Sequence, residues 1–215
     1  MTSSYFSREE MKSWPTKLLR NGRAANARVS CVTSPDGQWT VKDFADRSWA
    51  VKTFIAPVLL AHEFKILQKL HGVEGIAQKA FMIDRYALAI SYAEGTSLSQ
   101  VAPDTLPTDF FFQMESLLLA LHARGVAHLD TRGTGNWLVS SENKPLLIDF
   151  QSAVSLRLWP AKIRRVIEMI DLSGVYKKWA AYQPETLDDD RRRLYEQGEN
   201  WRRRWLLKGY FGKKK

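Results

Sequence analysis

The residues best suited to chemistry fall in one short run, His128-Leu129-Asp130-Thr131-Arg132-Gly133-Thr134-Gly135-Asn136, and in a second, Leu147-Ile148-Asp149-Phe150-Gln151, one strand and a turn further on. Two carboxylates and a primary amide thereby converge on one predicted hairpin. Phosphoryl transfer needs this kind of set: a metal bridging the phosphates, oxygen ligands to hold it, and a separate carboxylate to orient the attacking hydroxyl. Asp149 and Asn136 would supply ligands to Mg²⁺, a hard cation that takes few protein oxygens and completes its octahedron with water and phosphate. Asp130 would accept the hydroxyl proton. His-x-Asp alone is common, and Asp130 by itself reads more readily as a turn cap than as a functional carboxylate; the ordered set carries the inference. His128 is expected to stabilise the loop rather than to exchange protons.

A second pairing comes from Glu63. Leu59, Glu63, Ile66 and Leu70 share the apolar stripe of a helix predicted over Pro57 to Leu70, opened by proline and closed by His71-Gly72. A carboxylate on such a stripe must be neutralised or find a cation. Lys42, on a strand predicted over Trp39 to Phe44, is the preferred partner; Lys52 is the rival.

Turn chemistry positions these residues. Three hairpins are predicted: Ala27 to Phe44 around Ser34-Pro35-Asp36-Gly37, Lys79 to Ala93 around Asp84-Arg85, and Trp137 to Phe150 around Glu142-Asn143-Lys144-Pro145. A second helix, Thr108 to Arg124, starts at a Thr/Asp cap signal and ends at Gly125. After Trp159 the chain reads as helical and increasingly basic, with breaks at Pro184 and Gly198. The pattern is α+β, β-rich first and mostly helical later, with a boundary near Ala93 to Thr96.

At 215 residues, with 45% hydrophobic and 12% aromatic content, the chain can bury one core or two small lobes. The lone Cys31 excludes an intrachain disulfide and a multi-cysteine metal cluster, and four scattered histidines lack zinc-ligand spacing. These features, with no signal-peptide pattern and no apolar run near the ~20 residues of a membrane span, lead us to expect a cytoplasmic protein. Of the net charge of +9, residues 191–215 carry +8, as ten Lys/Arg against two Glu. A basic segment on a nearly neutral body suggests a tether or surface contact rather than a nucleic-acid-binding fold.

His128-x-Asp130, the downstream Asn136 and Asp149-Phe150 together resemble the protein-kinase-like superfamily over roughly residues 28–152, and most closely its compact bacterial branch of lipopolysaccharide core sugar kinases and RIO-like kinases. The resemblance implies a two-lobed fold with a β-rich N-lobe (1–94), a short, mostly helical C-lobe (95–190) and a basic aromatic tail (191–215), with ATP and Mg²⁺ bound between the lobes. It places Lys42 on the phosphates, Glu63 beside Lys42, Asp130 as catalytic base, Arg132 as a phosphate contact, and Asn136 and Asp149 on the metal. Ala50-Val51-Lys52 also resembles the family's lysine strand. Tyr92, Ala93 and Glu94 fall at the inter-lobe hinge, where backbone groups would meet adenine; their alternative reading is the end of an ordinary buried strand.

Several features differ from the family pattern. Asn136 follows Asp130 by six residues rather than five, an addition Gly133 and Gly135 are expected to absorb through positive φ. Gln151 replaces glycine after Asp-Phe, only Gly22 stands where a glycine-rich loop is expected, and no Ala-Pro-Glu follows, which disfavours a conventional protein substrate. The acceptor implied is a small molecule or a sugar of an envelope glycolipid. Residues 201–215, with aromatics among cations, fit an anionic membrane surface on the inner face of the cytoplasmic membrane, though plain packing and nucleic-acid contact fit the same composition. The rival functions are a RIO-like Ser/Thr protein kinase, a pseudokinase scaffold, and a tail-driven nucleic-acid binder.

Overall fold

Ser7 and Glu10 start the first helix, α1 (Arg8–Lys12), with a reciprocal capping box: each backbone N–H donates to the other's side chain. Next come β1 (Thr16–Arg20), β2 (Arg28–Ser34), β3 (Gly37–Asp43), α2 (Ala56–Lys69), β4 (Ala80–Asp84) and β5 (Ala87–Ser91). The strands form one antiparallel sheet in the order β1-β2-β3-β5-β4. The β2–β3 turn is closed by Ser34, whose hydroxyl donates to the Gly37 carbonyl and accepts from the Asp36 amide and the Trp39 indole. Side chains alternate across the pleat. One face buries Val32, Trp39, Val41, Phe81, Ala87 and Ala89 under Phe6, with Met11 and Trp14 alongside. Arg8 fastens α1 to the sheet by donating to Asp43 and Asp84. α2 packs against β4 and β5. Its buried stripe runs Ala56, Leu60, Glu63, Ile66 and Leu67, so Leu60 takes the place expected of Leu59.

The computed structural model describes residues 5–133 and 135–204, and its secondary structure is mixed α and β. The chain forms two units, Met1–Gly95 with Leu146–Ala153, and Thr96–Pro145 with Val154–Lys215. The sequence reading kept residues 95–190 together; instead Leu146–Ala153 packs with the first unit. Two hydrogen bonds show why: the Leu147 amide donates to the Gly75 carbonyl, and His62 Nε2–H on α2 donates to the Ala153 carbonyl.

The second unit contains β6 (Thr96–Ser97), α3 (Phe110–Ala123), β7 (Val126–Ala127), β8 (Trp137–Val139), β9 (Pro145–Leu147, which crosses into the first unit), β10 (Val154–Ser155), α4 (Ala161–Tyr182) and α5 (Asp189–Arg204). β6 pairs with β8, and β7 with β10. Its core holds Phe110, Phe111, Met114, Leu118, Val175 and Trp179, with the Phe111 and Trp179 rings stacked. Asp109 precedes α3 but makes no side-chain cap; its carboxylate accepts from Gln113 instead.

The segment after residue 191 is not a separate tail over its first half. α5 packs against α4, and Arg191 donates to Glu115 while lying over the Phe112 and Trp179 rings. Gly198, expected to break the helix, lies inside it; a Cβ there would stand 2.5 Å from the Ser173 Cβ, so the missing side chain lets α5 approach α4. Residues 205–215, and with them most of the expected membrane-facing stretch, lie outside the described residues. Among the described residues no helix is long and apolar enough to cross a membrane.

Candidate functional site

In the first unit the chemistry gathers around Lys42. β3 turns this residue away from the Trp39/Val41 core, and α2 presents Glu63 to it. Lys42 Nζ donates to Glu63 Oε1 at 2.7 Å and Oε2 at 2.9 Å, with Lys42 5% and Glu63 1% exposed. It also donates to Asp149 Oδ1 at 2.7 Å. Burial alone would lower the Lys42 pKa; the two carboxylates reverse that and hold it above the ordinary lysine value. Glu63 Oε1 accepts a further bond from the Phe150 amide at 3.2 Å. The carboxylate therefore fixes both a cation and the backbone beside Asp149.

Asp149 itself is left-handed, at φ 66° and ψ 73°, a conformation a non-glycine residue keeps only where its surroundings enforce it. Lys52 takes no part. It sits in a π-helical turn, Val51–Ile55, with its ammonium 5.7 Å from the Tyr86 ring centre. Tyr92, Ala93 and Glu94 follow β5, and the Tyr92 amide donates to the Gln38 carbonyl.

In the second unit the loop after β7 places Asp130 at the surface. Its Oδ2 accepts from Asn136 Nδ2 at 2.8 Å, and the same nitrogen donates to the Asp130 carbonyl at 3.0 Å. With Nδ2 occupied, Asn136 Oδ1 is the atom a metal would use. Gly133, expected to absorb the extra loop residue through positive φ, is not left-handed; just before the loop's Asp130, Leu129 adopts φ 62°. His128 is fully buried, and its Nδ1 accepts the Asp130 amide at 3.3 Å. The Arg132 guanidinium pairs with Glu199 on α5 and lies near the Ser173 hydroxyl.

Asp171, on α4, holds this loop and escaped the sequence reading. It is 1% exposed. Its Oδ2 accepts the His128 amide at 2.8 Å and His122 Nε2 at 3.0 Å, and its Oδ1 accepts the Leu129 amide at 2.9 Å. Its backbone carbonyl accepts the Thr131 hydroxyl at 2.7 Å. Gly174, one turn on, makes the approach feasible, since a Cβ there would lie 2.1 Å from Thr131 Oγ1. The Trp137 indole donates to the Thr131 carbonyl from the other side of the loop. Lys178 completes the support by donating to the Arg132 carbonyl; burial, then Lys177 and Arg132, push its pKa down to about 8. The sequence signal for Asp171 was an acid between Ile170 and Leu172.

Among the described residues no cluster of three or more His, Cys, Asp or Glu side chains forms a metal cage. Asp149, in the first unit, and Asn136, in the second, each carry a hard oxygen of the kind magnesium takes. No protein-family model matches the sequence, and no curated protein matches it either.

Proposed function

We propose that this chain is an ATP-dependent phosphotransferase of protein-kinase-like fold, transferring the γ-phosphoryl group to a hydroxyl. The observation that carries the reading is the buried Lys42 held between Glu63 and Asp149. Two carboxylates around one buried lysine, one of them on a residue with left-handed backbone, make a poor choice for stability alone, because apolar side chains of like volume serve a core as well. As a phosphate site the arrangement has a purpose: Glu63 fixes the ammonium while Asp149 provides an exchangeable counter-charge.

In this reading Lys42 binds the triphosphate, Asp149 and Asn136 Oδ1 hold magnesium, and Asp130 orients the acceptor hydroxyl and takes its proton. The bond between the γ-phosphorus and the β–γ bridging oxygen breaks as the acceptor oxygen bonds to phosphorus, and ADP departs. Magnesium, when bound, neutralises phosphate charge in the transition state. The acceptor class, a sugar of an envelope glycolipid precursor, rests on the motif resemblance. Calorimetry of MgATP binding to the wild type and to Asp149→Asn, with and without magnesium, tests the proposal. Magnesium-dependent binding that the substitution removes is expected; absence of binding to the wild type would overturn it.

A further inference from the structure

The sheet carries a second cation in line with Lys42. β1 and β2 pair Thr16 with Val32, Lys17 with Cys31 and Leu18 with Ser30, and the register then slips so that Arg20, not Leu19, stands opposite Val29. Val29 in turn pairs with Lys42 on β3. Residues paired across neighbouring strands share a face of the sheet, so the slip turns Arg20 to the face Lys42 occupies; regular alternation would have put Leu19 there. The two residues stand two strand spacings apart, about 10 Å at Cα.

Burial does not account for this placement, because every residue of β1 is exposed. Electrostatics does. Arg20 Nη2 lies 3.7 Å from Asp149 Oδ2, while Lys42 Nζ lies 2.7 Å from Asp149 Oδ1. Each carboxylate oxygen of the metal-binding candidate thus faces its own cation, one fixed by Glu63 and the other half exposed on an edge strand.

We infer that Arg20 is a second phosphate-binding residue, a guanidinium that the β1 bulge supplies where a glycine-rich loop would otherwise present backbone amides. The inference rests on the nucleotide reading above and names the part of the ligand involved: the β- and γ-phosphates, whose oxygens suit a planar two-pronged donor. With a cation bound at Asp149, Arg20 and Lys42 would be free to exchange that carboxylate for phosphate oxygens.

The test is binding of MgATP, adenosine and inorganic tripolyphosphate to the full chain, comparing wild type with Arg20→Met and Arg20→Lys. Arg20 is solvent-facing, so both variants should melt with the wild type. Arg20→Met is expected to weaken MgATP and tripolyphosphate by about tenfold or more, the loss of one charge-assisted contact, and to leave adenosine unchanged. Arg20→Lys should recover part of the loss. Equal MgATP affinity in wild type and Arg20→Met would overturn the role of Arg20 and leave the phosphotransferase reading standing. A parallel loss of adenosine would overturn it too, by showing an effect through the fold. A wild type that binds none of the three ligands would remove the nucleotide reading and this inference with it.

Discussion

The Lys42 cluster and the Asp130 loop are both built around a buried carboxylate, yet the two carboxylates work differently. Glu63 answers a charge: its oxygens face the Lys42 ammonium, with one backbone amide added. Asp171 answers geometry: it gathers the His128 and Leu129 amides from a loop some forty residues earlier, and a ring nitrogen of His122 from α3. The first arrangement depends on the charge of its partner, the second on the shape of a loop. In the proposed phosphotransferase the first would be the exchangeable half of the chemistry and the second the preset half.

Breaking the charged cluster should have the larger effect. Lys42→Met leaves Glu63 buried without its cation, and loss of one partner from a buried pair costs about 3–5 kcal/mol. Urea denaturation should show that loss, and the double variant Lys42→Met/Glu63→Leu should regain most of it while still failing to bind MgATP. A double variant no more stable than the single would mean that Glu63 acts through the Phe150 amide rather than through charge.

Asp171→Asn tests the other side of the comparison. The amide keeps one acceptor oxygen and turns an NH₂ toward one of the backbone donors, so at least one buried N–H loses its partner at a cost of about 2–3 kcal/mol. The signature should be local. Hydrogen exchange at His128 and Leu129 should speed up, whereas exchange along β3 and α2 stays as in the wild type. Uniform acceleration through both units would show that the loop is not a separately held element.

The contrast also governs what could be read from sequence. Lys42 and Glu63 were legible because charge on a strand and charge on an apolar helical stripe are visible in one dimension, with Ser34-Pro35-Asp36-Gly37 locating the strand. Asp171 was not, since its partners are backbone amides, which carry no residue identity, and α4 mixes charge and apolar residues along both faces. β1 was missed because a fully exposed strand has no alternation, and the register slip that aims Arg20 has no composition of its own. The signature for α1, Ser7 followed by Glu10, was present and went unread. Gly198 misled for a definite reason: glycine marks a helix end when its φ is needed, but here it is the missing side chain that α5 requires against Ser173. The Arg132–Glu199 pair was not legible either, because the two residues lie 67 positions apart and meet only through the packing of α5.

Lys178 offers the finest probe of the preset half, through pH. Its ammonium supports the loop by donating to the Arg132 carbonyl at 2.9 Å, yet burial, then Lys177 and Arg132, push its pKa down to about 8 against an ordinary 10.5. Below pH 8 the residue is protonated in folded and unfolded chains alike, and the full cost of keeping that charge inside the fold is present. Between about 8 and 10.5 the unfolded chain binds the extra proton, so stability rises with pH and the cost disappears. Lys178→Met should therefore be more stable than the wild type at pH 7, by about 1–2 kcal/mol once the lost hydrogen bond is offset. That advantage should shrink above pH 8, vanish between about pH 8.5 and 9.5, and be reversed at pH 10. Denaturation midpoints of the two proteins at pH 7, 8.5 and 10 decide the matter: a pH-independent difference would mean that Lys178 titrates normally and acts on the loop by packing alone.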